Sequence, residues 1–583
     1  MQLGKSALIR RSGITVRRWL RESELAFIVL AVVIGIAAGI ATALQSELAH
    51  AMQRLLYGVT INRLSALGSI SHPWRLLGLP IGGLVIILLR RWEGRRRGPP
   101  VDVVEANALH GGRIPVTDNL IIAAQTITSN GCGASVGLEA TYAQVGGGIA
   151  SQFGQWLQLR RADLRTLVGG GAGAAVGAAF GAPLTGAFYA FEIVIGSYST
   201  ASVAPVVACA LAAALVMRGL GIEPYLIATT VHRAITIVDY LAYAALGVLS
   251  AFVGIAVMRL VTLAEQGFAL LPKLSRVRPL IGGLLLMPLA MLSPQTLSAG
   301  HGALHLDLLL RPPVAFLLAV LALKIVASVI SLASGFRGGL FFASLFLGSL
   351  LGQAFGELFN LNPWGLRIEP ADAALVGMAA MSVSIVGGPM TLAMLMLETT
   401  HDFALMGVVL TASLLAAVMT REVFGYSFST WRLHLRGSIV RSPHDIGWMF
   451  NLTARNLMRR DWKPAPESSS VAEFRQLVPL GSTSRAVLVD SQNHYRGVIQ
   501  TAAAHSPDLD PHTPVASLAT LAETTLHPET DIKSILRLFD AASADELAVT
   551  APDGTVLGIV TENHARRRYL EEVEAAQRRL VGA

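Results

Sequence analysis

Twenty consecutive residues, Leu25 to Leu44, carry no charge, and about 20 apolar residues are enough to cross a bilayer as a helix. Comparable runs with at most one charge recur near 76–89, 166–196, 200–217, 240–258, 279–292, 313–336, 338–356, 373–397 and 404–419. Backbone polar groups in hydrocarbon find partners only inside helices or closed barrels, and runs of this length fit helices. The reading is an all-α, multi-pass membrane protein. Of its 583 residues only 14% are charged, against about 25% in soluble proteins.

Charge placement adds orientation. Lys5, Arg10, Arg11, Arg17, Arg18 and Arg21 precede the first run, which predicts a cytoplasmic N-terminus. That run is long and lacks a small-residue cleavage site, so no cleaved signal peptide is expected. The net charge of +8 sits largely beside spans, as in Arg90-Arg91 and Arg95-Arg96-Arg97. It reads as topology signal and headgroup contact rather than as a nucleic-acid surface. Cys132 and Cys209 lie in apolar surroundings and are expected as buried thiols.

Between Asp118 and Arg160 the one charged residue is Glu139, in a glycine-rich stretch. A carboxylate is costly to ionise in such a segment and marks a polar pathway for ions or protons. The chain also repeats around it. Gly137 and Gly146 are nine apart, as are Gly339 and Gly348; Pro183 leads to Glu192 as Pro389 leads to Glu398, again over nine residues. The offsets between copies, 202 (339 − 137) and 206 (389 − 183), predict a two-fold duplication. Inverted-repeat transporters hold substrate where the halves meet, on broken helices.

Thr166 to Ile195 would span about 45 Å as one straight helix, more than the hydrocarbon core of about 30 Å. A break at Gly181-Ala-Pro183 is expected, since proline lacks an N–H and clashes with the preceding turn. Helix N-termini expose unpaired N–H groups and partial positive charge, so several aimed at one point bind an anion. Candidate openings are Gly111-Gly-Arg-Ile-Pro115, Gly137-Leu-Glu139 and Gly339-Leu-Phe-Phe-Ala343.

Together with Thr141, the paired Pro-x-Thr…Glu segments and Tyr426, these openings resemble the CLC family of chloride channels and chloride/proton antiporters over residues 25–438. The resemblance implies that Glu139 is the external gate and that the Tyr426 hydroxyl closes the inner end. It implies an anion held near Gly112, Ile114, Leu340 and Phe341, and a homodimer with one pathway per subunit. The sequence departs from the family at several positions. The anion-binding serine falls at Gly112, where Arg113 reads equally as an anion attractor or a headgroup residue. Leu138, Ala140 and Thr141 replace the usual Arg, Gly and Pro. Ile193 stands where family antiporters carry a second, proton-relaying glutamate, while Glu192, echoed by Glu398, reads as structural.

Hydrophobicity collapses after Arg436-Gly437. From residue 452 to 583 an α/β tail follows, resembling the paired CBS domains of family members. Ala486–Asp490 and Tyr495–Ile499 are echoed by Leu547–Thr550 and Val556–Val560. The stretches that would hold an adenine nucleotide's ribose, Gln500–Ala503 and Thr561–His564, lack the usual aspartate, which favours regulation or dimer packing over nucleotide binding. The expected plan is an N-terminal cytoplasmic segment 1–24, a transmembrane domain 25–438, a linker 439–451 and the CBS pair 452–583. The function expected is chloride or related anion transport in the cell membrane, passive or weakly proton-coupled. A strict chloride/proton antiporter is the alternative, and a membrane-anchored CBS sensor the alternative of another class. No enzyme activity, metal or redox cofactor is expected.

Overall fold

The computed structural model describes residues 23–59, 64–70, 72–93, 100–222, 235–270, 276–363, 365–435 and 452–581. The N-terminal segment before Ser23 and the linker 439–451 lie outside them. The chain divides into two compact units, Met1–Asp445 and Ile446–Ala583.

The first unit is helical. Its first half runs α1 (Glu24–Tyr57), α2 (Gly78–Glu93), α3 (Val103–Leu109), α4 (Val116–Gly131), α5 (Glu139–Trp156), α6 (Arg161–Phe180), α7 (Pro183–Tyr189) and α8 (Thr200–Gly219). The second runs α9 (Ile237–Ala269), α10 (Arg278–Leu292), α11 (His301–Leu310), α12 (Val314–Ser334), α13 (Phe341–Phe359), α14 (Pro370–Val386), α15 (Pro389–Thr400) and α16 (Met406–Val423), closed by α17 (Phe428–Leu435). Each helix of the first half has its counterpart eight places later. Among the described residues, seven helices are long and apolar enough to span a bilayer.

The break expected within 166–195 is present. Gly181, at φ +67°, stops α6, and Pro183 opens α7, where a missing N–H costs nothing. α7 then continues as a π-helical segment, Ala190–Ile195, a local irregularity that often accompanies functional sites. Small residues let helices pack backbone to backbone. A Cβ on Gly146 would stand 2.3 Å from the Gly171 carbonyl oxygen, and one on Gly348 would stand 2.2 Å from that of Gly377. The same α5–α6 contact is thus repeated between α13 and α14. Cys132 and Cys209 are buried free thiols.

The second unit contains two copies of one plan. In the first, β1 (Pro464–Pro466) pairs in parallel with β2 (Arg485–Val489), which pairs antiparallel with β3 (Tyr495–Gln500). In the second, β4 (Glu546–Thr550) pairs antiparallel with β5 (Val556–Thr561), and Leu526 bridges Val549 in parallel. Helices α18 (Ala454–Leu457), α19 (Val471–Leu477), α20 (Thr501–Ala504), α21 (Ile532–Ala542) and α22 (Glu562–Val581) complete the unit. A shift of 61 residues (546 − 485) maps one copy on the other. It also turns the bridge Arg459–Ile559 into Val498–Thr520, and leaves His494–Thr555 on the pseudo-two-fold axis. This is the paired-module α/β architecture that the resemblance to a CBS pair implies.

Candidate anion pathway

The two glycine-rich openings meet. Gly137 and Gly339 exchange both backbone hydrogen bonds, N–H to carbonyl at 2.9 Å and 3.1 Å, as an antiparallel bridge. This brings together the N-terminus of α5, whose first residue is Glu139, and that of α13, which opens at Phe341. The loop before Glu139 is fixed from both sides. The Ser135 N–H donates to the Ser331 hydroxyl at 3.0 Å, and the Asn130 side-chain amide donates to the Val136 carbonyl at 2.7 Å. The Thr141 hydroxyl donates to Gln45 of α1 at 2.9 Å, a use of the substituted position that the sequence did not signal.

Glu139 is 3% exposed. Its carboxylate is engaged by its own backbone N–H and by that of Phe342, while Oε2 has no hydrogen-bond partner among the described residues. In this position the carboxylate fills the space left at Gly137, where a Cβ would fall 1.9 Å from Oε2. A carboxyl group therefore sits at the meeting of two long helices' N-termini, the electrostatic setting that suits an anion.

Glu139, Gly339, Leu340 and Phe341 line one cavity of about 640 Å³. Arg90, Arg278, Arg337 and Arg432 line it too, with the carboxylates of Glu93, Asp102 and Glu265. Most of these charges are engaged. Arg90 donates to the Gly335 carbonyl at 3.0 Å, Arg337 to Gln125 at 3.0 Å, and Gln125 in turn to Glu93 at 2.8 Å. Arg432 stands 3.7 Å from Glu265. The arrangement is a polar chamber with basic walls, ending at a buried carboxylate.

Gly112, Ile114 and Tyr426, expected at the anion path, lie outside this cavity. Gly112 and Ile114 lie in the turn between α3 and α4, where the Ser151 hydroxyl donates to the Gly112 carbonyl and accepts from the Ile114 N–H. The glycines there serve packing, since a Cβ on Gly112 would meet Leu164. What reaches the cavity is the other end of α3, at Pro100, Asp102, Val103 and Val104. The Asp102 side chain caps this helix by accepting from the Glu105 N–H at 2.8 Å, an Asp-x-x-Glu signal readable in the sequence. Tyr426 is also outside the lining. Its ring stacks on His434 and its hydroxyl bonds that ring at 3.3 Å, whereas Phe428 and Ser429, at the start of α17, line the cavity. Ile193 is buried against Gly388 and does not line it either.

Duplicated broken helices around a charged chamber define a multi-pass membrane transport protein. The chain belongs to the CLC family: the voltage gated chloride channel model matches residues 81–421. The voltage-gated ClC-type chloride channel ClcB of Salmonella typhi is 28% identical over 412 residues, covering 68% of this chain and 96% of that one. Among solved structures, a slow cyanobacterial Cl−/H+ antiporter has a similar fold, with a TM-score of 0.61 and 22% identity over 70% of this chain and 97% of that one. A eukaryotic CLC transporter matches with a TM-score of 0.60 and 18% identity, over 92% of this chain and 97% of its own.

Proposed function

We propose that this protein carries chloride or a related anion across the cell membrane along a path closed by Glu139, passively or with weak proton coupling. The observation that carries this reading is the Glu139 carboxylate at the joined N-termini of α5 and α13, facing a chamber with four arginines. In this reading an anion takes the place of the carboxylate when protonation neutralises it and it swings aside. Backbone amides near Leu340 and Phe341 hold the anion, and Phe428 takes the narrowing role expected of Tyr426. The protein is a transporter and not an enzyme. It works as a homodimer in the lipid bilayer, with its N-terminus and tail cytoplasmic.

Ile193, which cannot carry a proton, tilts the balance slightly toward weak coupling, since a water-filled route needs no side chain there. The tail acts as a regulatory or dimer-packing CBS pair, without an adenine nucleotide, since neither Gln500–Ala503 nor Thr561–His564 carries an aspartate. The strict antiporter remains the second reading, favoured by likeness to the cyanobacterial antiporter. Reversal potentials of the reconstituted protein, measured in a chloride gradient with and without a pH gradient, separate the two. A potential following chloride alone eliminates the antiporter, and a fixed shift with the pH gradient eliminates passive conduction. Absence of anion flux returns the membrane unit to an anchor for a CBS sensor.

A further inference from the structure

Ile193 leaves open how a proton reaches Glu139, and the chamber contains another route. Tyr189, one turn before Ile193, lines the cavity with its ring 6.2 Å from that of Phe341. Two carboxylates, Glu139 and Asp102, line the same space. On the topology proposed above, α1 crosses from the side of the N-terminus and α2 returns to it, which puts Arg90 and Glu93, at the end of α2, on that side. One cavity therefore reaches from that side to the buried Oε2 of Glu139. Its volume holds about 20 waters at about 30 Å³ each.

We propose that Asp102 is the group that exchanges the gate's proton with the water of this chamber, with the Tyr189 hydroxyl positioning the connecting water, in place of a titratable side chain at position 193. The inference rests on the reading of Glu139 as the gate. In the step, water on the tail side gives a proton to the Asp102 carboxylate, and Asp102 passes it through chamber water to Glu139. Charge is then neutralised at the gate and restored at Asp102. The other acidic groups facing the chamber are occupied: Glu265 is beside Arg432, and Glu93 accepts from the Gln125 amide whose carbonyl takes Arg337. Glu105, on the next turn of α3, gives its N–H to Asp102. Arg90 is spent on the Gly335 carbonyl, and Arg278 completes the basic wall.

Asp102→Asn is a clean test because asparagine caps a helix as well as aspartate does, so α3 keeps its start while the carboxylate is removed. Full-length protein in vesicles is assayed for chloride-driven proton uptake and for the response of chloride flux to pH on the tail side. Asp102→Asn is expected to lose the tail-side pH response and to lower proton uptake to the protein-free level, with chloride still moving. Asp102→Glu restores the response, and Tyr189→Phe slows proton uptake. If Asp102→Asn keeps the response while Glu139→Gln abolishes it, the proposal falls and the gate stands. If Glu139→Gln keeps it too, the gate reading itself falls. A wild-type chloride flux indifferent to tail-side pH, or loss of the response in Glu93→Gln instead, also overturns the proposal.

Discussion

Glu192 and Glu398 cap each other's half of the membrane unit. Glu192 accepts from the N–H groups of Met390 and Thr391, at 3.1 Å and 2.8 Å, and from the Thr391 hydroxyl at 2.7 Å. Glu398 accepts from the N–H groups of Leu184 and Thr185 and from the Thr185 hydroxyl, all at 2.8 Å. Each carboxylate thus satisfies the orphan donors of the helix that the other repeat's proline begins. Charged caps of this kind contribute about 1.5–3 kcal/mol. Glu398→Ala and Glu192→Ala are each expected to lower the melting temperature of the solubilised protein, with glutamine at either position retaining part of the stability. Equal stability of alanine and wild type would dismiss the mutual caps.

In the proposed function the Glu139 carboxylate is the gate. Glu139→Gln keeps the shape, removes the charge and is expected to leave anion flux open while flattening its dependence on pH. Flux through vesicles over a pH series is the measurement; a mutant with the full wild-type response refutes the gate.

In the proposed path the narrowing falls at Phe428, which lines the chamber, and not at Tyr426, which does not. Tyr426→Phe removes a hydroxyl bonded to His434 outside the chamber, so flux is expected to stay close to that of the wild type. Phe428→Ala opens the lining and is expected to raise conductance. Paired flux measurements check both, and the reverse ranking restores the tyrosine.

Helix contact between α13 and α14 depends on Gly348. Gly348→Ala places a methyl 2.2 Å from the Gly377 carbonyl oxygen, and overpacking of this kind costs about 1–3 kcal/mol. Thermal unfolding in detergent should show the loss, and alanine at Gly219, where a Cβ meets nothing within 4 Å among the described residues, should not.

The tail has its own pH limit. Asp490 is held down to about 2 chiefly by the backbone N–H of His494, then by that of Gln492 and by the His494 ring. Its folded value lies below the unfolded one of about 3.9. The stabilisation is therefore complete above about pH 4 and is lost as pH falls through about 2. Asp490→Asn should lower tail stability at neutral pH and flatten the acid limb between those values, as followed by β-sheet circular dichroism. An unchanged acid limb would show that the turn does not depend on this charge.

Sequence alone determined what local chemistry controls. Apolar runs set the membrane helices, Pro183 and Gly181 set the break, and the spacings Gly137–Gly146 and Gly339–Gly348 exposed the duplication. An isolated carboxylate marked Glu139. Each is legible because it concerns neighbours in the chain or the cost of a group in lipid. Tertiary structure decided which helix ends converge. Gly111–Pro115 carries the glycine and proline signature of an opening, yet it is a packed turn under Leu164 and Ser151, whereas Asp102, Tyr189 and Phe428, from three distant segments, face the chamber with Glu139. A motif fixes the shape of its own backbone; where that backbone points is set by packing between helices hundreds of residues apart, and by the bridge that joins Gly137 to Gly339.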